Sequence, residues 1–169
     1  SEFDLTPLFK SNPKARFLEL GRSCIAPAYR DRRTIELLWH GTWCYALAQG
    51  IEILFGCASF DGVDPNRFAP ALSWLGKNAS LDGNENCCAS STNGVPLSSF
   101  QAEPASLRQA MSAMPPLIKG YLRVGAKIGS QAVIDYQFGT TDVLVVLKVD
   151  QINPRYLAHF GEDASRFAA

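Results

Sequence analysis

The chain has 169 residues, 47% hydrophobic and 19% charged, which are values of a globular protein and exclude a disordered or fibrous one. That length suits one domain with its own core, so residues 1–169 are expected to form a single unit. Sixteen basic and sixteen acidic residues cancel, leaving no overall field to steer nucleic acid, and any anion site has to be local.

No apolar run approaches the ~20 residues that a membrane-spanning helix needs, and no secretory signal pattern opens the chain. The cysteines at 24, 44, 57, 87 and 88 form an odd set without metal-ligand spacing. They read as reduced, cytosolic thiols, with no zinc.

"RFLELGRSCI" (Arg16 to Ile25) reads as a strand whose alternation breaks at Gly21 and which ends at Ala26-Pro27. Ile35, Leu38, Trp39, Thr42 and Ala46 then recur at helical spacing, with Gly50 placed just beyond the helix end. "IEILFGCASF" (Ile51 to Phe60) is almost wholly apolar, which suits a strand buried on both faces and parallel to the first, the two closing a right-handed strand-helix-strand unit. Asp64 as N-cap with Pro65 behind it predicts a helix to about Trp74.

Residues 77–101, rich in Asn, Ser, Gly and Asp, read as a long loop. "EPASLRQAMSAM" and "PPLIKGYLRVGAKIG" follow as two helices. "AVIDYQF" and "DVLVVLKV" then flank Gly139 to Thr141 as a hairpin, and "NPRYLAHF" closes the chain as a helical turn capped by Asn153.

Glu19 and Arg22 stand three apart in the first strand, so in regular geometry they point to opposite faces. A bulge at Gly21 resets the alternation and turns both into one cleft, the Glu as proton acceptor and the Arg as a clamp on a carboxylate or carbonyl. A plain ion pair at a strand end fits the same residues equally well.

Arg30, Arg32 and Arg33 precede Thr34 and the first helical turn, where free N–H groups and the helix dipole favour a phosphate. A solvated basic turn is the competing reading. Lys119, Arg123 and Lys127 recur every four residues as one basic stripe suited to an acidic protein partner, although a solvated face is the commoner meaning of such a stripe.

Ser59 and Asp61 lie with Cys57 at the end of a buried strand, where open sheets place their ligands. Cys57 itself reads better as a structural thiol than as a nucleophile, since His40 and His159 stand at no catalytic spacing to it.

The blocks "FLELGRSCIAPAYRDRRTIELLWHGTWCYALAQGIEILFGCASFDGVDP" and "PPLIKGYLRVGAKIGSQAVIDYQFGTTDVLVVLKVDQINPRYLAHF" resemble the ornithine N-acyltransferases of bacterial ornithine-lipid synthesis, sometimes labelled hemolysin-like. These belong to the GCN5-related N-acyltransferase superfamily and share features with acyl-homoserine lactone synthases. The resemblance implies an α/β fold with a mixed central sheet whose first two strands splay apart to admit an acyl-pantetheine arm. The family's fold carries several elements before the segment matching Phe17, whereas sixteen residues precede it here, so that sheet is expected without its N-terminal strands.

The resemblance also implies transfer of a β-hydroxyacyl group from acyl carrier protein to the α-amine of ornithine, giving lyso-ornithine lipid. The work would take place in the cytoplasm, with peripheral contact at the inner face of the cytoplasmic membrane. Glu19 then matches the carboxylate that deprotonates the amine, and Arg22 matches the arginine that holds the amino acid.

The superfamily's phosphate loop has Arg or Gln, two residues, Gly, one residue, then Gly or Ala. The aligned positions here are Arg30, Arg33 and Ile35, without either glycine. This departure favours the single phosphodiester of a carrier-bound phosphopantetheine over the diphosphate of coenzyme A. Arg30, Arg32, Arg33 and Thr34 would bind it, Lys119, Arg123 and Lys127 its acidic carrier, and Ser59 and Asp61 the substrate. No permanently bound cofactor and no metal are expected. The competing functions are a lactone synthase-like enzyme and a non-catalytic carrier-binding or membrane-associated module.

Overall fold

The longest apolar strands of the sequence sit at the centre of the sheet, as burial on both faces requires. The structure is a computed structural model, and it describes residues 2–21, 25–29, 31–81, 83–90, 92–100 and 107–152, with Arg32 and Ile35 described in backbone only. Its elements are α1 (Thr6–Ser11), β1 (Phe17–Glu19), α2 (Arg32–Ala48), β2 (Ile53–Asp61), α3 (Ala69–Asn78), β3 (Gly94–Pro96), α4 (Leu107–Ala113), α5 (Pro116–Val124), β4 (Lys127–Asp135) and β5 (Thr140–Lys148). The sheet order is β1-β2-β5-β4-β3, with β1 parallel to β2 and every other pair antiparallel. The fold is the expected α/β class with a mixed sheet.

Alternation along β2 sorts its side chains. Leu54, Ala58 and Phe60 enter the larger core with Leu72 and Leu75 of α3, Ile118 of α5, and Val143 and Val145 of β5. Ile53 and Phe55 face the other way and pack with Phe3, Leu8, Leu81, Leu144 and Val146. On the larger-core side Trp39 of α2 meets Tyr121 of α5 edge to face, ring centroids 5.1 Å apart. No helix among the described residues is long and apolar enough to cross a membrane.

Several boundaries differ from the sequence-based expectation. The first strand is three residues long, and its register with β2 (Phe17 to Ile53, Leu18 to Leu54, Glu19 to Phe55) runs unbroken. Gly21 lies beyond the strand end, so the feature there is termination of the strand and not a bulge. The register irregularity of the sheet lies in β4, between Ile128 and Ala132.

Asp31 caps α2 by accepting the Thr34 N–H at 2.7 Å, which puts Arg32 and Arg33 inside the first turn and not ahead of it. Asp64 caps a 3-10 turn over Pro65–Phe68, and α3 continues to Asn78, four residues past Trp74, because Ala71, Leu72 and Leu75 keep a buried face.

Gly125, with φ of 105°, ends α5, and Lys127 opens β4. Lys119 and Arg123 therefore share a helix face, but Lys127 does not extend it. The 77–101 loop contains β3, which covers the edge of β4. Asn153 and the expected terminal turn lie outside the described residues.

Candidate active site

The site forms where β1 and β2 part. The Leu20 N–H donates to the Phe55 carbonyl at 2.7 Å, the last rung between them among the described residues, while β2 runs on to Asp61. Backbone groups of β2 beyond Phe55 on the β1 side are thereby left without a strand partner among the described residues.

Phe17 packs with the smaller core and Leu18 with the larger, so alternation sends Glu19 out over the smaller-core face. The same face carries Cys57, Ser59 and Asp61 of β2, all exposed because the apolar cover stops at Phe55.

The N-terminal segment brings a further acid to this face. Ser90 N–H donates to the Glu2 carbonyl and Asp4 N–H to the Cys88 carbonyl, both at 2.9 Å, and Phe3 between them is buried. Carboxylate oxygens of Glu2, Asp135 and Asp142 lie within 4.8 Å of one another. Asp142 stands opposite Ser59 in the β2–β5 ladder and is 5% exposed. Asp135 ends β4 and accepts from the N–H groups of Gln137 and Phe138 at 2.7 and 2.9 Å, which anchors the hairpin turn.

Electrostatics follow from this crowding. Burial raises the Glu2 carboxyl above its ordinary range and the charges of Asp142 and Asp135 add to the rise, while a hydrogen bond with Cys57 opposes it. Cys57 keeps part of its surface open, yet the protein packed around its sulfur removes enough water to push its pKa far upward. Glu2, Asp142 and Glu19 push in the same direction. The thiol stays protonated and, among the described residues, has no imidazole base: His40 sits in α2 with its Nε2 3.4 Å from the Cys44 sulfur.

Glu19, Ser59 and Asp61 are thus gathered on one face. Arg33 is exposed in the first turn of α2, and the Thr34 amide is already engaged by Asp31. Lys119 and Arg123 lie on α5, and Lys127 begins β4. Arg22 and Arg30 lie outside the described residues, as does the side chain of Arg32.

Glu2, Asp135 and Asp142 were not apparent from spacing, because they are far apart in the chain. One signal was present: Asp142 heads a run, "DVLVVLKV", that is otherwise apolar but for Lys148.

A family described as Acetyltransferase (GNAT) domain matches residues 1–40. An L-ornithine N(alpha)-acyltransferase of Agrobacterium fabrum is 48% identical over 166 residues, 98% of this chain and 57% of the relative. One of Rhizobium meliloti is 46% identical over 169 residues, 100% of this chain and 57% of the relative. One of Brucella abortus is 44% identical over 166 residues, 98% of this chain and 59% of the relative. No solved structure gives a significant match.

A mixed five-stranded sheet, opening beside its parallel pair, and the domain match define a GNAT-type α/β protein. Within that class the chain belongs to the L-ornithine N(alpha)-acyltransferase family, and it spans less than three fifths of the length of these relatives.

Proposed function

We propose that the protein transfers an acyl group to the α-amine of ornithine, with a β-hydroxyacyl acyl carrier protein as donor and lyso-ornithine lipid as product. The observation that carries this reading is the exposed carboxylate of Glu19 at the point where β1 and β2 separate. An α-ammonium is protonated at neutral pH and cannot attack a thioester until it loses a proton. Glu19 takes that proton, directly or through a water. The amine nitrogen bonds to the thioester carbon and the carbon–sulfur bond breaks; of the two protons the nitrogen loses, one goes to the pantetheine thiolate and the other passes from Glu19 to solvent, giving an amide and a free thiol.

The backbone edge of β2 past Phe55, which has no strand partner among the described residues, supports a docking groove for the pantetheine arm, with N–H groups to polarise the thioester carbonyl. In this reading Arg22 holds the carboxylate of the amino acid, and Ser59 and Asp61 line its pocket. Arg30, Arg32, Arg33 and Thr34 address the phosphodiester, and Lys119, Arg123 and Lys127 the acidic carrier. The exposed apolar residues Leu37, Leu38, Tyr45 and Leu47 of α2 support peripheral contact with the inner membrane of the cell.

The test is direct: full-length protein, acyl-loaded carrier protein and ornithine are incubated and the products read by mass spectrometry. N-acylornithine is the expected product, and absence of any acylated amino acid overturns the reading.

A further inference from the structure

Three carboxylates converge on the Glu19 face from separate parts of the chain: Glu2 from the N-terminal segment, Asp135 from the end of β4 and Asp142 from β5. Asp142 is 5% exposed, and its Oδ1 accepts no hydrogen bond; Glu2 Oε2 and Thr140 Oγ1 beside it are buried without partners as well. No described lysine or arginine pairs with any of the three acids. Acids this close, one of them buried and two half-buried, need a positive partner or a shared proton. Burial, with the charges of Asp142 and Asp135 beside it, raises the Glu2 carboxyl accordingly.

We propose that Glu2, Asp135 and Asp142 bind the side-chain ammonium of a diamino-acid acceptor, while Glu19 addresses its α-amine. This rests on the N-acyltransferase reading and adds to it the group that selects the acceptor. An ammonium has three N–H donors directed tetrahedrally, and three acceptors each about 2.8 Å from its nitrogen stand roughly 4.6 Å apart. That arrangement suits oxygens separated by no more than 4.8 Å.

A hard divalent cation would need about six to eight oxygens at short range. Here the surroundings add a hydroxyl, from Thr140, and a protonated thiol, from Cys57. Cys57 shares the sheet face of Glu19, and the carboxylates of both Glu2 and Glu19 lie near enough to raise its thiol. An extended diamino acid holds its nitrogens roughly 6 Å apart, which lets it lie across this side chain.

The experiment compares ornithine with norvaline, which lacks the side-chain amine, in the full-length protein and in Asp142→Asn and Glu2→Gln. Wild type is expected to prefer ornithine by about a hundredfold or more in kcat/KM, and each substitution to cut that preference about tenfold or more, mainly through the KM for ornithine. Ornithine and not norvaline should raise the wild-type melting temperature, with the rise lost in Asp142→Asn. A preference retained in both variants overturns the proposal while N-acyl transfer stands. So does acylation that a chelator abolishes and magnesium or calcium restores, which would make this a metal site.

Should wild type acylate no amino acid, the functional reading fails and the ornithine-specific melting shift decides alone. Its loss on substitution supports the ammonium site, and its absence in wild type overturns it. Glu2→Gln, nearer the surface, serves where Asp142→Asn does not fold.

Discussion

The carbonyl of Leu20 fills the space in which a side chain at position 56 would begin, so that β1 and β2 meet where only Gly56 fits. This contact, beside the final rung from Leu20 to Phe55, sets how far Glu19 stands from β2. Gly56→Ala must push the strands apart, and it should destabilise the fold by roughly 1–3 kcal/mol in urea unfolding. Turnover should drop further than stability does, because Glu19 moves with its strand. An unchanged urea midpoint would show that the contact has slack.

Glu19 is exposed and adds little to the core. Glu19→Gln should therefore leave stability within about 0.5 kcal/mol of wild type, while N-acyl transfer falls about a hundred- to ten-thousandfold. The residual rate should climb with pH as more of the amine is free without help. A variant with full activity at neutral pH would remove Glu19 from the mechanism.

Glu2 gives stability a pH dependence whose sign follows from its raised carboxyl. The folded protein binds a proton that the unfolded chain releases, so the destabilising effect is absent below the ordinary value of 4.5 and grows as pH rises through the raised folded value. Glu2→Gln should melt higher than wild type at neutral pH and close to wild type near pH 4, even as it weakens ornithine preference. Melting scans across that range check it, and a variant that melts lower at pH 7 contradicts the crowding of charge described above.

On the same sheet face a different carboxylate is satisfied. Glu85 takes Lys148 Nζ at 2.6 Å and Asn12 Nδ2 at 2.8 Å. Burial alone would raise its carboxyl, but Lys148 and Asn12 outweigh that and hold it below the ordinary range. Its contribution is present above the ordinary glutamate value and is lost as pH falls through the lowered folded one. Lys148→Met should cost about 1–2 kcal/mol at pH 7, discounted because both groups keep some solvent contact. The difference from wild type should shrink in acid, which urea titrations at both pH values would show.

The central strands were legible because burial on both faces demands a nearly continuous apolar run, as in Ile53–Phe60 and Val143–Leu147. α2 was legible because its apolar residues keep a 3.6-residue period. The basic stripe misled at its last member: four-residue spacing continues through Lys127, but Gly125 stops the helix first, and that glycine was the better signal.

Glu19 stood out as a charge in an apolar strand. The three clustered acids did not, since Glu2 and Asp135 are 133 positions apart, and it takes both the bonding of the N-terminal segment to residues 88–90 and the pairing of β4 with β5 to bring Glu2, Asp135 and Asp142 together.

That separation has a kinetic side. The β4–β5 hairpin is local and can close early, whereas Glu19 arrives only when β1 pairs with β2, and Glu2 only when the N-terminal segment bonds to residues 88–90, contacts of longer range that form later. A chain that has its helices and its hairpin but has not yet docked the N-terminal segment would look folded in the far ultraviolet while lacking half of its acids. The competent fraction of a preparation should then track protection of the Asp4 and Ser90 amides from hydrogen exchange, a closer measure than total secondary structure.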